Sequence, residues 1–270
     1  MRSSWGSDPV GRAGHTACPC YSAAVVDRAF SESSLAELYD VLNPWGRSPD
    51  DEFYLDLVMS ATSVLDVGCG TGLLLRRARE VGHTGRLCGL DPAKAMLDQA
   101  RSRSDIEWCL GDLTSVGWDR EFDLVVMTGH AFQVFVDDAD LRASLTAIRS
   151  ALADSGRFAF ETRNPAVREW EGWTSDRTVE VVNSAGAVVR VTRQVESPVQ
   201  GDVVHFATTF TSSSWHIPQV SRSSLRFLDP ASLGTFLSEA GLAIDQQFGY
   251  WDRRPLTSLS REIITIARRG

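Results

Sequence analysis

Hydrophobic residues follow two alternating spacings through most of the chain. Short apolar runs, typical of buried strands, occur at 63–67, 86–90, 105–110, 122–127 and 157–162. Residues with helical spacing predict helices at 31–42, 51–60, 71–81, 94–102 and 138–152. Repeated alternation of strand and helix predicts an α/β fold, a parallel sheet with helices on both faces.

This pattern changes between residues 177 and 228. Four β-like runs, TVEVV, VVRVTRQV, DVVHFATTF and SLRFL, follow one another with short turns and no helix. Adjacent strands with short turns pair antiparallel. The segment therefore predicts an inserted antiparallel β-sheet, which either covers a pocket or only extends the fold. The earlier pattern resumes with a helix at 229–240 and strands at 242–249 and 262–268.

The overall charge limits which partners are expected. The 270 residues include 27 Lys and Arg and 35 Asp and Glu, a net charge of −8, so no overall field favours nucleic acid or an anionic membrane.

The cysteines and the apolar runs exclude further classes. The five cysteines have neither disulfide-framework nor zinc spacing, and we expect no metal. No apolar run reaches the ~20 residues that span a bilayer. The N-terminal segment also lacks a signal-peptide core, so a cytoplasmic protein is expected.

The stretch VLDVGCGTG at residues 64–72 links the first predicted strand to a helix. Its glycines allow a sharp turn and let a ligand approach the main chain. No Gly-Lys-Ser/Thr follows, so the Walker pattern is absent. The dinucleotide pattern G-x-G-x-x-G is broken because the third glycine comes one residue early. The Asp66 carboxylate would repel a pyrophosphate and attract an ammonium group, which leaves an NAD-dependent oxidoreductase as a weakened alternative.

Two further acidic residues follow the next strands. Asp91 ends the second strand, where a carboxylate can accept hydrogen bonds from both ribose hydroxyls. Asp112 follows the third strand, where it can meet an adenine amino group. Each aspartate alone could be a helix cap or a turn residue. Together with Asp66 they converge on one crevice, where open α/β sheets bind ligands.

The motifs VLDVGCGTG, LDPAKAML, LGDL and FDLVVMTGHAFQVF together resemble those of class I S-adenosylmethionine-dependent methyltransferases, over 35–163 and 225–268. The resemblance implies a Rossmann-like seven-stranded sheet, mostly parallel with an antiparallel last strand. It also implies S-adenosylmethionine as cofactor and S-adenosylhomocysteine as product. The cofactor-binding residues that we expect from the motifs and their neighbours are Tyr39, Trp45, Asp66, Gly68, Cys69, Gly70, Asp91, Pro92, Met96, Gly111, Asp112, Leu113 and Thr128.

Within that set the resemblance gives some residues separate roles. Gly68 and Gly70 would lie against the methionine part, Asp91 on the ribose and Asp112 at the adenine. Met96 would pack on the adenine ring, or else is an ordinary core residue of its helix.

The resemblance also divides the chain into regions. We expect a flexible tail at 1–20 and an N-terminal helical cap at 21–60. The cofactor-binding domain would comprise 61–165 and 225–270. A β-rich substrate lid would occupy 166–224.

The acceptor is expected to contact the segment after the fourth strand, the helical cap and the insertion. His130 follows a buried strand at its carboxyl end, and an unperturbed imidazole suits proton removal near neutrality. It is our candidate general base, although it could instead only orient the substrate. Tryptophans in the insertion could bind a flat acceptor or simply fill the core of the inserted sheet. The predicted substrate-binding residues are His130, Gln133, Arg163, Trp173, Trp215 and His216.

These features favour methyl transfer to N or O, or to C, of a small-molecule acceptor such as a specialised metabolite. The tetrad Asn/Asp-Pro-Pro-Tyr/Phe, which holds an exocyclic base amine, is absent after the fourth strand. We therefore expect no nucleic-acid or membrane partner, and either a monomer or a homodimer. RNA or protein methylation, and binding of the cofactor without catalysis, remain the alternatives.

Overall fold

The computed structural model describes residues 26–199 and 201–270. The predicted tail at 1–20, with Cys18 and Cys20, lies outside these residues. No helix in the described part of the chain is long and apolar enough to cross a membrane.

The repeated strand–helix pattern folds as predicted. Strands of the main sheet are β1 (Ser63–Val67), β2 (Arg86–Asp91), β3 (Glu107–Leu110), β4 (Phe122–Met127), β5 (Leu152–Arg163), β10 (Leu242–Phe248) and β11 (Glu262–Arg269). Their order is β10-β11-β5-β4-β1-β2-β3. The neighbours from β5 to β3 pair parallel, and β11 pairs antiparallel with both β5 and β10. This confirms the predicted sheet with an antiparallel last strand.

Helices cover both faces of this sheet. They are α1 (Arg28–Ser31), α2 (Ser33–Ala36), α3 (Tyr39–Leu42), α4 (Asp50–Met59), α5 (Leu73–Glu80), α6 (Lys94–Ala100), α7 (Asp138–Ala151) and α8 (Pro230–Glu239). The apolar strand β4 is buried on both sides: Leu124 and Val126 join the cluster under α4 and α5, and Val125 joins the cluster under α7 and α8. A strand enclosed on two faces is apolar at nearly every position.

The four β-like runs form a second sheet, confirming the predicted insertion. Its strands are β6 (Thr178–Val182), β7 (Val188–Val195), β8 (Val203–Ser212) and β9 (Gln219–Arg226). They lie in chain order and pair antiparallel throughout. One face buries Val204 and Phe206 against Trp170 and Trp173, and Val189 against α2.

The N-terminal helix predicted at 31–42 is wrong as one element. The chain forms three short helices there, and Glu32 between the first two is extended (φ −89°, ψ 118°). Leu35 and Leu38 pack on the second sheet, while Tyr39 packs against Met96 of α6. Contacts with two separate surfaces outweigh the local preference for one continuous helix.

Candidate active site

The loop after β1 exposes main-chain atoms beside α6. Gly70 and Gly72 have φ of +56° and +72°, a region that favours glycine. A Cβ on Gly70 would lie 3.2 Å from Cε of Met96, and one on Gly72 would lie 2.2 Å from the Trp108 ring. The loop therefore depends on glycine both for its conformation and for space.

Asp91, at the end of β2, fixes this loop. Its Oδ2 accepts a hydrogen bond from Gly70 N at 2.8 Å, and its Oδ1 accepts one from Ala93 N at 2.7 Å. Burial raises the pKa of Asp91, against the effect of these two bonds. Each carboxylate oxygen can accept more than one hydrogen bond, so the predicted ribose contact is compatible with this arrangement.

Asp66, at the end of β1, is a buried carboxylate with free bonding capacity. Its side chain is 1% exposed, and Oδ1 has no hydrogen-bond partner among the described residues. Burial raises the pKa of Asp66 to about 8, and the charges of Asp91 and Glu161 act in the same direction. A cationic group beside Asp66 would favour the ionised carboxylate.

Helix α3 closes one side of the strand ends. The Tyr39 hydroxyl lies 3.5 Å from where a Cβ of Gly129 would stand. Burial and the carboxylates of Asp40, Asp91, Asp66 and Glu161 raise the pKa of Tyr39 to about 12. The ring thus stays a neutral phenol among four acidic side chains.

Asp40 ties the same helix to the glycine loop. Its carboxylate accepts hydrogen bonds from Thr71 Oγ1 at 2.5 Å and from Arg76 at 2.8 Å. The loop is therefore held from β2 on one side and from α3 on the other.

His130 lies in a tight turn after β4. It adopts φ +64°, which is uncommon for a residue other than glycine. Its N–H donates to Oε1 of Glu161 at 2.6 Å, and the other oxygen of Glu161 accepts from the Tyr54 hydroxyl. Glu161 is completely buried, and burial raises its pKa. The carboxylate therefore holds the turn that carries His130.

The imidazole of His130 has a second acidic neighbour. Its Nε2 lies 2.9 Å from Oε2 of Glu262, the first residue of β11. The two side chains are 20% and 15% exposed. Nδ1 has no hydrogen-bond partner within the described residues, so one ring nitrogen is held and the other is available.

The structure brings most of the predicted site residues to one edge of the sheet. Around the carboxyl ends of β1, β2, β4 and β5 lie Tyr39, Asp66, Gly68, Cys69, Gly70, Asp91, Pro92, Met96, Thr128, His130 and Arg163. Gly111, Asp112 and Leu113 follow β3 at the same edge. Asp112 Oδ1 accepts hydrogen bonds from Thr114 and Ser115 within its own turn.

The remaining predicted residues lie farther from these strand ends or are engaged in contacts within the protein. Gln133 is completely buried, and its amide bonds Arg226 O and Arg163. Trp173 packs in the apolar end of the second sheet and Trp215 packs near α2. Trp45 packs against the cluster under α4, and His216 is exposed. The assignments of individual residues to cofactor or substrate stay predictions.

Sequence reasoning missed several residues of this site. Glu262 and Tyr54 reach His130 and Glu161 from elements distant in the chain, and nothing in their local sequence marks them. Asp40 lies within the helix predicted at 31–42, and nothing in that pattern indicates that its carboxylate contacts the glycine loop.

The chain is similar to known proteins in both sequence and structure. Residues 64–156 match the model of a methyltransferase domain family. Cypemycin N-terminal methyltransferase from Streptomyces sp. is 26% identical over 218 residues, covering 78% of this chain and 84% of that protein. 2-phytyl-1,4-naphtoquinone methyltransferase from Thermosynechococcus vestitus is 34% identical over 157 residues, covering 52% and 67%. The chain belongs to the S-adenosylmethionine-dependent methyltransferases, which confirms the predicted family and cofactor.

Solved structures share the fold at lower identity. The sugar N-methyltransferase KedS8 from Streptoalloteichus sp. is 19% identical with a TM-score of 0.67, covering 96% of this chain and 100% of that one. The CcbJ methyltransferase from Streptomyces caelestis is 18% identical with a TM-score of 0.68, covering 88% and 99%. Both similarities therefore cover most of the present chain.

The residues present fit S-adenosylmethionine. The cofactor carries a positively charged sulfur and an ammonium group, and the strand ends offer the unpartnered oxygen of Asp66 together with Asp91 and Glu161. Gly70 leaves open main chain beside Met96. An acidic crevice with an orphaned carboxylate oxygen matches a cation better than it matches a pyrophosphate.

Proposed function

We propose that this chain transfers the methyl group of S-adenosylmethionine to a nitrogen or oxygen atom of a small-molecule acceptor, with His130 as general base. The names of the two sequence relatives point to a cypemycin N-terminus and to a naphtoquinone as their acceptors. Carbon is the third acceptor atom consistent with that range. The net charge of −8 disfavours a nucleic-acid substrate.

The observation that carries the proposal is that two carboxylates hold His130 in place. Glu161 fixes its backbone and Glu262 fixes its Nε2. With the proton on Nε2 donated to Glu262, the lone pair stands on Nδ1 and can accept a proton from the acceptor. When bound, the cofactor supplies an electrophilic methyl carbon. The protein positions the acceptor, excludes water and removes the proton.

The other residues hold the cofactor in this scheme. Asp66 meets a cationic group, Asp91 meets the ribose hydroxyls, and Met96 packs on the adenine. Tyr39 and the glycine loop enclose the methionine part. The β-rich segment at 166–224 acts as a lid on the acceptor.

The test is methyl transfer from isotopically labelled S-adenosylmethionine to a panel of amines, phenols and sugar amines. With an accepted substrate, His130→Ala should lower kcat by about 10²–10⁴-fold, the usual contribution of a general base. The dissociation constant for the cofactor should stay unchanged. His205→Ala is the matched control, because His205 is an exposed histidine of β8 whose ring lies 2.6 Å from Ser224 Oγ.

Unchanged turnover in His130→Ala would remove this base, leaving the histidine only an orienting role. Cofactor binding without methyl transfer to any acceptor would favour a binding protein instead. Glu262→Gln should lower kcat by a smaller factor than His130→Ala, with little change in KM, because it leaves the imidazole in place.

A further inference from the structure

The inner face of the second sheet is apolar at its two ends and polar in between. Val189 and Phe210 pack at one end, and Val204 and Phe206 pack at the other. Side chains alternate between faces along a strand, so Arg193 of β7 points to the same face as Val189. Arg193 pairs in register with Thr208, which in turn pairs with Ser221. A polar band therefore crosses three strands.

Arg193 is the charged member of that band. Its guanidinium carbon lies 5.2 Å from the centre of the Trp173 ring and 5.3 Å from that of Phe206. It makes no hydrogen bond or ion pair with any residue that the structure describes, whereas Arg190 on the outer face pairs with Glu180 at 2.7 Å. The residue is still exposed to solvent. Its five N–H donors are free to bind a ligand.

A second arginine approaches the same ring from the main sheet. The guanidinium carbon of Arg163, at the end of β5, lies 5.4 Å from the centre of the Trp173 ring. Its Nη1 donates to Gln133 at 3.0 Å, and its Nε is buried without a hydrogen bond among the described residues. The nearest carboxylate, Glu169, is 3.8 Å from that Nε and is shared with Arg261.

The two guanidinium groups repel each other. Desolvation by the surrounding side chains lowers the pKa of Arg193 even though part of the residue is exposed, and the charge of Arg163 lowers it further, against the opposite effect of Glu169. Burial also lowers the pKa of Arg163, against the charges of Glu169, Glu262 and Glu161, which raise it. A negatively charged ligand between them would relieve this repulsion.

This arginine pair is next to the candidate base. Arg163 lies two residues after Glu161, which holds the backbone of His130, and it stands opposite Glu262 in the sheet register. An anion bound between Arg163 and Arg193 would therefore lie near the turn that carries His130.

We propose that Arg193, assisted by Arg163, binds a carboxylate or phosphate group of the acceptor, so that the enzyme selects anionic small molecules. The guanidinium fork matches both oxyanions with paired hydrogen bonds. Trp173 keeps the Arg193 fork in place through the ring contact. This inference rests on the proposed function, because it names the chemistry of that acceptor.

The experiment compares anionic probes with neutral ones of similar shape. Phenyl phosphate is paired with phenol and benzoate with benzamide, and dissociation constants are measured by ligand-observed NMR on the full chain with S-adenosylhomocysteine present. We expect at least one anion to bind about tenfold more tightly than its neutral counterpart, as charge-assisted bonds require. Arg193→Gln should reduce that ratio to below about threefold, and Arg193→Lys should retain part of it. Arg190→Gln, on the opposite face of β7, should leave it unchanged.

Comparison of the phenyl phosphate pair with the benzoate pair distinguishes phosphate recognition from carboxylate recognition. Equal binding of anionic and neutral probes would overturn the proposal, as would an equal loss in Arg190→Gln. A lower melting temperature of Arg193→Gln with unchanged anion preference would show that the residue only packs on Trp173. Cofactor affinity and methyl transfer are measured on the same preparation, so a failure of the proposed function is seen separately from a failure of anion selection.

Discussion

Among single residues, Asp66 combines almost complete burial with an oxygen that has no partner among the described residues. Its pKa of about 8 means that most molecules keep a proton on it at neutral pH. A cation beside the carboxylate favours the ionised form. Binding of the cofactor should therefore expel the proton.

We expect release of about one proton for each S-adenosylmethionine bound at pH 7, and tighter binding as the pH rises toward 8. The direction of this pH dependence follows from the raised pKa of Asp66. Below pH 8 the carboxyl group must lose its proton to meet the cation, and above pH 8 it is already ionised. Calorimetry in two buffers of different ionisation heat measures the proton count. Asp66→Asn should abolish the release and weaken binding about tenfold or more.

Asp98→Asn is the control for that measurement, because Asp98 lies on the exposed side of α6 and pairs with Lys94. It should release the same number of protons as the wild-type protein. Proton release that persists in Asp66→Asn would assign the linkage to another group.

At the scale of elements, the glycine loop is shaped by its neighbours as much as by its own sequence. Trp108 of β3 fills the space beside Gly72, and its Nε1 donates to Arg103 O at 2.9 Å. The ring cannot move away without losing that bond. Loop and strand are therefore packed as one unit.

Gly72→Ala should lower the free energy of unfolding by about 3 kcal/mol, from left-handed backbone strain and overpacking against Trp108. Gly186→Ala is the matched control. Gly186 has φ +79°, but a Cβ added there would have no other atom within 4 Å, so only the strain of about 1–2 kcal/mol applies. Urea unfolding of both variants measures the difference. Equal losses of unfolding free energy would show that the Trp108 ring moves aside at no cost.

The elements also show what a sequence can predict. Strand ends carrying Asp66 and Asp91 were found because hydrophobic spacing locates strands, and parallel strands end at one edge. The division of residues 28–42 into three short helices was not found, because this segment contacts two separate apolar clusters. The bond from Tyr54 to Glu161 joins residues 107 positions apart, and such pairs follow from the order of strands in the sheet.

Across the whole molecule, Gln133 connects the second sheet to the main one. Its Nε2 donates to Arg226 O of β9 at 2.8 Å, and its Oε1 accepts from Arg163 Nη1 of β5 at 3.0 Å. Arg226 also pairs with Asp138 of α7 at 2.7 Å. The second sheet is thus fastened to the segment that follows His130.

Gln133→Leu should lower the free energy of unfolding by about 2–4 kcal/mol, since it leaves buried polar groups on both sheets unpaired. The acceptor KM should rise while the cofactor affinity stays within about twofold, because the damage lies at the lid. Gln247→Leu is the control, as Gln247 makes one bond, to Thr265 at 3.2 Å. An equal effect on cofactor affinity and acceptor KM would argue against a lid joined through Gln133.

The acidic strand ends also bear on product inhibition. Asp66, Asp91 and Glu161 attract a positively charged nucleoside, and donation of its methyl group removes one positive charge. The same three carboxylates therefore interact more favourably with the charged methyl donor than with the product, whose sulfur is neutral.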